Sequence, residues 1–333
     1  MDFVTLLGDS LQQAIGPAAV VYCLAAIGLN IQFGYTGLLN FGQAAFMAVG
    51  GYTMAAFVTT WGLSFWLGIV AGLFMTAVLA LLLGVPTLRL RADYLAIVTI
   101  AAAEIVRQVV GSVSLLKYFG GQDGLQAFSK TFRSYNPFNQ TVEVGSLVSW
   151  SANDFWVMVV GWSLVALMCL MTWALVRSPW GRVLKSIRED EDAVRSLGKN
   201  VYSYKMQSLM LGGMIGALAG FMVALRSAAI NPSQFATDTT FFAYTVLLIG
   251  GAARVLGPVA GAIIFWFLIT FLDLFFSQAT DPASGPLIPE WIMNEQQASL
   301  MRFIFLGLSL MLLMIFRPQG IFGDRKELAI DAR

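Results

Sequence analysis

The chain has 333 residues, of which 58% are hydrophobic and 12% charged, whereas soluble domains carry about 25% charged residues. A soluble protein of this length cannot hide so much apolar side chain, because its surface needs polar groups to stay dispersed, so most of the chain must meet lipid. A formal net charge of +1 gives no long-range field to draw nucleic acid, and the absence of histidine removes His-based zinc sites, Ser-His or Cys-His catalysis and histidine proton relays.

Residues 1–10 contain Asp2 and Asp9 and no basic residue, so they lack the positive region of a signal peptide, and the first apolar run is expected to be retained. A hydrocarbon core of about 30 Å needs roughly 20 apolar residues per helical span. Runs of that kind fall near 14–29, 41–60, 63–84, 93–116, 155–176, 206–229, 239–253, 257–277 and 299–316. They are too long and continuous for alternating barrel strands. The expectation is an all-α, polytopic transmembrane helical bundle of about nine spans, forming one domain over residues 1–333.

Two stretches make poor spans. Residues 28–51 contain six glycines together with Asn30, Gln32, Asn40 and Gln43, and residues 249–261 contain Gly250, Gly251, Gly257, Pro258 and Gly261. Glycine and proline leave backbone groups in need of partners, which at membrane depth only protein or a water-filled cavity supplies. Such broken or re-entrant segments in two halves of a chain point to a transport pathway, here assigned to Gly34, Gly37, Asn40, Gln43, Gly250 and Gly251. Close helix packing explains the same glycines without any pathway.

Between these stretches, Glu104 and Arg107 share a helix face at i, i+3, and a structural ion pair accounts for them better than an ion-coupling site. Cys23 and Cys169 lie in apolar runs, as buried thiols do. In the sixth run Gly212, Gly216, Gly220, Ala224 and Ala228 draw a small-residue stripe that admits a closely packed neighbour, in this chain or another.

The loop 178–205 is the longest basic one that looks folded. Ser178–Pro179 marks a helix start, and Ser186 with Glu189 has capping-box spacing ahead of a short helix at about 187–197 that Gly198 stops. Ile187, Ala193, Val194 and Leu197 are available to press into a groove, so the loop reads as a docking element. The positive-inside rule puts this loop and the C-terminal tail (Arg317, Arg325, Lys326, Arg333) in the cytoplasm, and simple alternation adds Arg89, Arg91 and Arg254, for 14 basic residues inside. Segments 1–13, 230–240 and 278–298 carry none, and the loop 117–154 faces outward. There is no GxxxxGK[ST] phosphate loop, so the chain is not expected to be an enzyme, and no metal or cofactor is expected.

LRLRADYLAIVTIAAAEIVR (88–107), GGQDG (120–124), GRVLKSIREDEDAVRSLG (181–198), the 28–51 stretch and GGAARVLGPVAGA (250–262) together resemble the LivM-type membrane subunit of bacterial branched-chain amino-acid ABC importers. The resemblance runs from about residue 20 to 320, with Ala92 and Phe119 departing from the usual pattern. It implies an inner-membrane permease that works with a second, related permease, two cytoplasmic ATPases and an extracytoplasmic substrate-binding protein. It also implies an ATPase-coupling role for Arg188, Glu189, Asp190, Glu191, Arg195, Leu197 and Gly198. Urea and amide importers share these motifs, and an ion-coupled carrier or a channel are the readings from other classes.

Overall fold

The computed structural model describes residues 3–88, 92–138, 140–144, 148–280 and 294–323. Arg89, Arg91, Arg325, Lys326, Arg333 and most of the 278–298 segment lie outside the described residues. The helices are α1 (Phe3–Ala14), α2 (Pro17–Leu29), α3 (Gln43–Thr59), α4 (Phe65–Thr87), α5 (Ala92–Val110), α6 (Leu116–Phe119) and α7 (Lys130–Ser134). They continue with α8 (Ala152–Arg177), α9 (Pro179–Glu189), α10 (Glu191–Ser196), α11 (Val201–Ser227), α12 (Thr237–Gly250), α13 (Gly257–Thr280) and α14 (Glu295–Phe316). Two small antiparallel ribbons complete the fold. One pairs β1 (Leu125–Gln126) with β4 (Ala229–Ile230), the other β2 (Val142–Val144) with β3 (Val148–Trp150). The all-α membrane bundle expected from composition is the architecture found.

Local chemistry sets the helix starts. Ser64, Ser151 and Asn200 each accept a hydrogen bond from a backbone N–H in the first turn of α4, α8 and α11, and Ser178 with Pro179 opens α9. Burial then orders the helices. The span Pro17–Tyr35 is 89% buried, whereas Gln297–Phe316 is 6% buried, so α2 is the axis of the bundle and α14 turns its apolar surface to lipid. α2, α3, α11 and α12 form the centre, with α4, α8, α13 and α14 outside them.

The expected nine spans are not confirmed: among the described residues six helices are long and apolar enough to cross a membrane, or seven if Tyr94–Val110 and Val113–Phe119, bent by 56°, count as one. With the bent pair counted, the remaining difference lies in α3, with 17 residues, and α12, with 14. At 1.5 Å per residue a 14-residue helix reaches about 21 Å, short of a hydrocarbon core of about 30 Å. Both are covered by neighbouring helices.

The stripe on α11 finds its neighbours within the chain. A Cβ on Gly212 would meet Gln32 Cγ at 2.6 Å, one on Gly216 would meet Gln43 Nε2 at 2.6 Å, and one on Gly220 would collide with the Met47 carbonyl. α2 and α3 therefore lie along it at backbone distance. Ala228 departs from the expected stripe: it is the left-handed C-cap of α11, at φ +52°, and leaves the helix face.

Candidate functional site

The first Gly-rich stretch is a break. α2 runs into a π-helical turn, Asn30–Tyr35, and residues 37–42 then pass without helix to α3. Polar groups of this stretch and of the first turn of α3 take partners from three other helices. Thr99 Oγ1 of α5 accepts from Phe41 N–H at 3.0 Å, Tyr244 of α12 donates to the Asn40 carbonyl at 2.9 Å, and Thr240 Oγ1 of α12 accepts from Ala44 N–H at 3.0 Å. Thr36 and Ser208 of α11 share a hydrogen bond of 2.7 Å. This is how irregular backbone survives at membrane depth. Asn40 and Gln43 are fully buried. Asn40 Nδ2 donates to Gln32 Oε1 at 2.8 Å, and Gln43 Nε2 donates to the Gly212 carbonyl at 3.2 Å, tying the break to α11.

The second stretch is a break as well, between α12 and α13, and Asn30 holds it to the first. Asn30 Nδ2 donates to the Arg254 carbonyl at 2.7 Å while its Oδ1 accepts from Ala253 N–H at 2.8 Å. Ala253 sits in the left-handed region at φ +60°, a conformation a non-glycine residue keeps only when its surroundings fix it. Gly34 permits this approach, because a Cβ there would lie 2.7 Å from the Ala253 nitrogen. On the far side, the Ile249 and Gly250 carbonyls at the end of α12 accept from Ile321 and Phe322 N–H at 2.9 and 3.2 Å. The segment after α14 thereby caps α12, and Gly251, at φ +109°, admits it.

The basic loop folds differently from the expected helix at 187–197. α9 continues through Ser186, whose hydroxyl donates back to the Arg182 carbonyl, and ends at Glu189. The helix start belongs to Asp190, whose carboxylate accepts from Asp192 and Ala193 N–H at 3.0 and 2.9 Å and opens α10. An ionised carboxylate facing two orphan N–H groups at the positive end of a helix dipole outcompetes the Ser186 hydroxyl for that role. Gly198 ends α10 at φ +77°. Of the four apolar residues assigned to a groove, Ile187 and Val194 turn inward and cluster with Val201, while Ala193 and Leu197 face out, Leu197 at 81% exposure. Arg195 pairs with Glu191 and Asp192 at 2.9 and 2.8 Å, and Lys205 of α11 pairs with Glu191.

One contact joins this loop to the breaks. Arg188 Nη1 donates to the Gly34 carbonyl at 2.6 Å, and Gly37, at φ +75°, lies against the Arg188 side chain. The seam thus runs from α10 through Arg188 to Gly34, on to Asn30, and into the loop before α13. It contains Gly34, Gly37, Gly250 and Gly251, while Asn40 and Gln43 belong to a neighbouring polar cluster deeper in the bundle. Residue type marks Asn30 and Gln32 as polar within an apolar run, but no spacing in the sequence brings Asn30 beside Ala253.

Other ion pairs lie away from the seam. Arg107 donates to both carboxylate oxygens of Glu104, at 2.8 and 2.5 Å, and Gln108 adds a third donor at 2.8 Å. Asp273 of α13 pairs with Arg302 of α14 at 2.8 Å and accepts from Ser299. Among the described residues no group of three or more Cys, Asp or Glu is placed to hold a metal ion.

Comparison with known proteins agrees with this architecture. The chain is 30% identical over 319 residues to the high-affinity branched-chain amino acid transport system permease protein LivM of Escherichia coli, covering 92% of this chain and 69% of the relative. A probable branched-chain amino acid transport permease protein LivM of Methanocaldococcus jannaschii is 23% identical, covering 92% of this chain and 91% of the relative. A shorter similarity, 32% identity over 30% of this chain and 29% of the relative, links it to the fructose import permease protein FrcC of Rhizobium meliloti. The family model described as branched-chain amino acid transport system / permease component matches residues 16–314. This chain is a multi-pass membrane protein and belongs to that family of transport permeases.

Proposed function

We propose that the chain is the permease subunit of an ATP-binding-cassette importer that moves branched-chain or other small amino acids inward across a bacterial inner membrane. It works beside a second, related permease, with two cytoplasmic ATPases supplying the energy and an extracytoplasmic binding protein delivering the substrate. Residues 178–205 face the cytoplasm and 117–154 the outside, as the excess of basic residues in the former requires. Displacement of α10 by an ATPase is carried to α9 through Ile187, Val194 and Val201 and reaches the first break through Arg188. Asn30 passes it to the second break, and the pathway opens where Gly34, Gly37, Gly250 and Gly251 let the backbone change direction. Asn40 and Gln43 line it once their present hydrogen bonds part.

The observation that carries this reading is the Arg188–Gly34 hydrogen bond, a direct tie between the exposed loop and the backbone of a broken span. The test is uptake of labelled leucine into liposomes holding the complete transporter, with the binding protein outside and ATP inside. Accumulation is expected to need both ATPases, and the chain alone is expected to concentrate nothing. Accumulation without the ATPases, or its collapse with an uncoupler at constant ATP, overturns the reading in favour of an ion-coupled carrier. ATP-dependent accumulation of urea but not leucine reassigns the substrate alone.

A further inference from the structure

A pocket of about 390 Å³ opens at the end of the bundle opposite the basic loop. Asp154 stands in the first turn of α8 and Arg226 in the last turn of α11, each a helix length away from the loop 178–205 that joins the two. Both line the pocket, whose inner side is the first half of α2. The chain between α11 and α12 fixes the rest of the rim. Ala228, in the left-handed region, turns it away from α11; Gln234 Nε2 then donates to Ser227 Oγ at 3.4 Å, and Thr239 Oγ1 donates to the Gln234 carbonyl at 3.0 Å.

Charge and shape name the occupant. Arg226 and Asp154 share one cavity, yet among the described residues no ion pair joins them. The Ser151 hydroxyl donates to only one carboxylate oxygen of Asp154, at 2.7 Å, so the other is open to a donor. A simple anion would face Asp154, a simple cation would face Arg226, and a neutral amide uses neither charge. A guest that carries a carboxylate and an ammonium meets both. Beside the charges, Val21, Val223 and Tyr22 form an apolar wall that suits an aliphatic side chain. The Tyr22 ring is held there by Phe242 and Trp266, with centroids 6.2 and 5.4 Å away. The volume lies at the small end of ligand pockets, which run from about 300 to 1,000 Å³, and so favours a single amino acid over a peptide.

We infer that this pocket binds a free α-amino acid with a small aliphatic side chain, its carboxylate at Arg226, its ammonium at Asp154 and its side chain against Val21 and Val223. The inference rests on the proposed amino-acid permease reading, under which this end of α8 and α11 faces outside. None of the lining residues belongs to the seam, so the pocket is a receiving site at the outer surface and not part of the broken spans.

The test is calorimetric titration of leucine into the full chain in phosphatidylglycerol nanodiscs, with no ATPase and no binding protein present. Saturable binding is expected, and Arg226→Gln and Asp154→Asn are each expected to weaken half-saturation by about tenfold or more. Leucinamide and N-acetylleucine, which each lack one of the two charges, and urea, which lacks both, are expected to compete about tenfold less well than valine. Absence of saturable binding to the folded chain overturns the proposal, as does equal competition by urea or unchanged half-saturation in both variants once gel filtration shows them folded. If Arg226→Gln does not fold, Asp154→Asn decides alone. Loss of leucine binding when phosphatidylethanolamine replaces part of the lipid also overturns it, since a zwitterionic headgroup would then be the occupant. Uptake by the complete transporter separates the two failures: ATP-driven leucine accumulation without binding here removes the site and leaves the permease reading, whereas binding here without leucine accumulation removes that reading and leaves the site.

Discussion

Arg107 meets Glu104 through two N–H groups, and Gln108 donates to the same carboxylate oxygen as Arg107 Nη2, so the charge on α5 is neutralised within neighbouring positions of one helix. Part of the pair is still uncovered, with 42% of the Glu104 side chain exposed, and an uncovered charge in a membrane-crossing helix needs water or protein beside it. The expected outcome is non-additive: Glu104→Gln and Arg107→Gln each lower the thermal midpoint, because each leaves one charge without its partner. The double variant falls by less than the two losses together. A double-variant cycle on the purified protein checks this, and strict additivity refutes the pairing as a structural device. Asn30 and Glu104 contrast in how far sequence reveals them. Spacing alone puts Glu104 beside Arg107, whereas the partners of Asn30 are more than 220 residues away.

Helix packing turns on the glycines of α11. Glycine lets α3 approach until the Met47 carbonyl occupies the volume a Cβ at position 220 would need. Gly220→Val is therefore expected to destabilise the chain by about 1–3 kcal/mol or more through overpacking, read as a lower thermal midpoint. Gly307, where a Cβ meets nothing within 4 Å, is the control: Gly307→Ala is expected to leave the midpoint in place. α10 is the opposite kind of element. It is six residues long, too short to hold itself, and stands because Asp190 caps it, Lys205 pairs with Glu191, and Val194 packs beneath it. Leu197, exposed at its end, is a contact offered outward. Leu197→Asp is expected to abolish co-purification with the ATPases while leaving the midpoint of the isolated chain unchanged; undiminished co-purification removes the docking role.

Across the whole molecule the exposed loop and the two breaks form one connected path, and Arg188 is its first link. Arg188→Ala removes the hydrogen bond to Gly34 and the side-chain contact with Gly37 without touching the outward face of α10. In the reconstituted transporter it is expected to keep ATPase assembly and ATP hydrolysis while lowering leucine uptake at least tenfold, a loss of about 1.4 kcal/mol or more in coupling. Wild-type uptake would show that the movement enters elsewhere.

Membrane residence, the helical class, the placing of charge in one large loop and the location of both breaks follow from sequence, because they rest on local quantities: the length of apolar runs, the run of glycines, the position of arginines. What the chain's own order could not settle is which runs span, what the α11 stripe faces, and where the short loop helix begins. α3 and α12 are apolar enough to read as spans, and only the folded chain shows that they are helices of 17 and 14 residues covered by their neighbours. The Asp190 carboxylate is the stronger cap than the Ser186 hydroxyl, and the start at Asp190 leaves Ile187 on α9, where it meets Val194 and Val201. The bonds from Asn30 to the second break and from Arg188 to the first join residues far apart in the chain, and such contacts exist only once the bundle has assembled, since hydrogen bonding between distant segments carries no periodicity for a sequence to display.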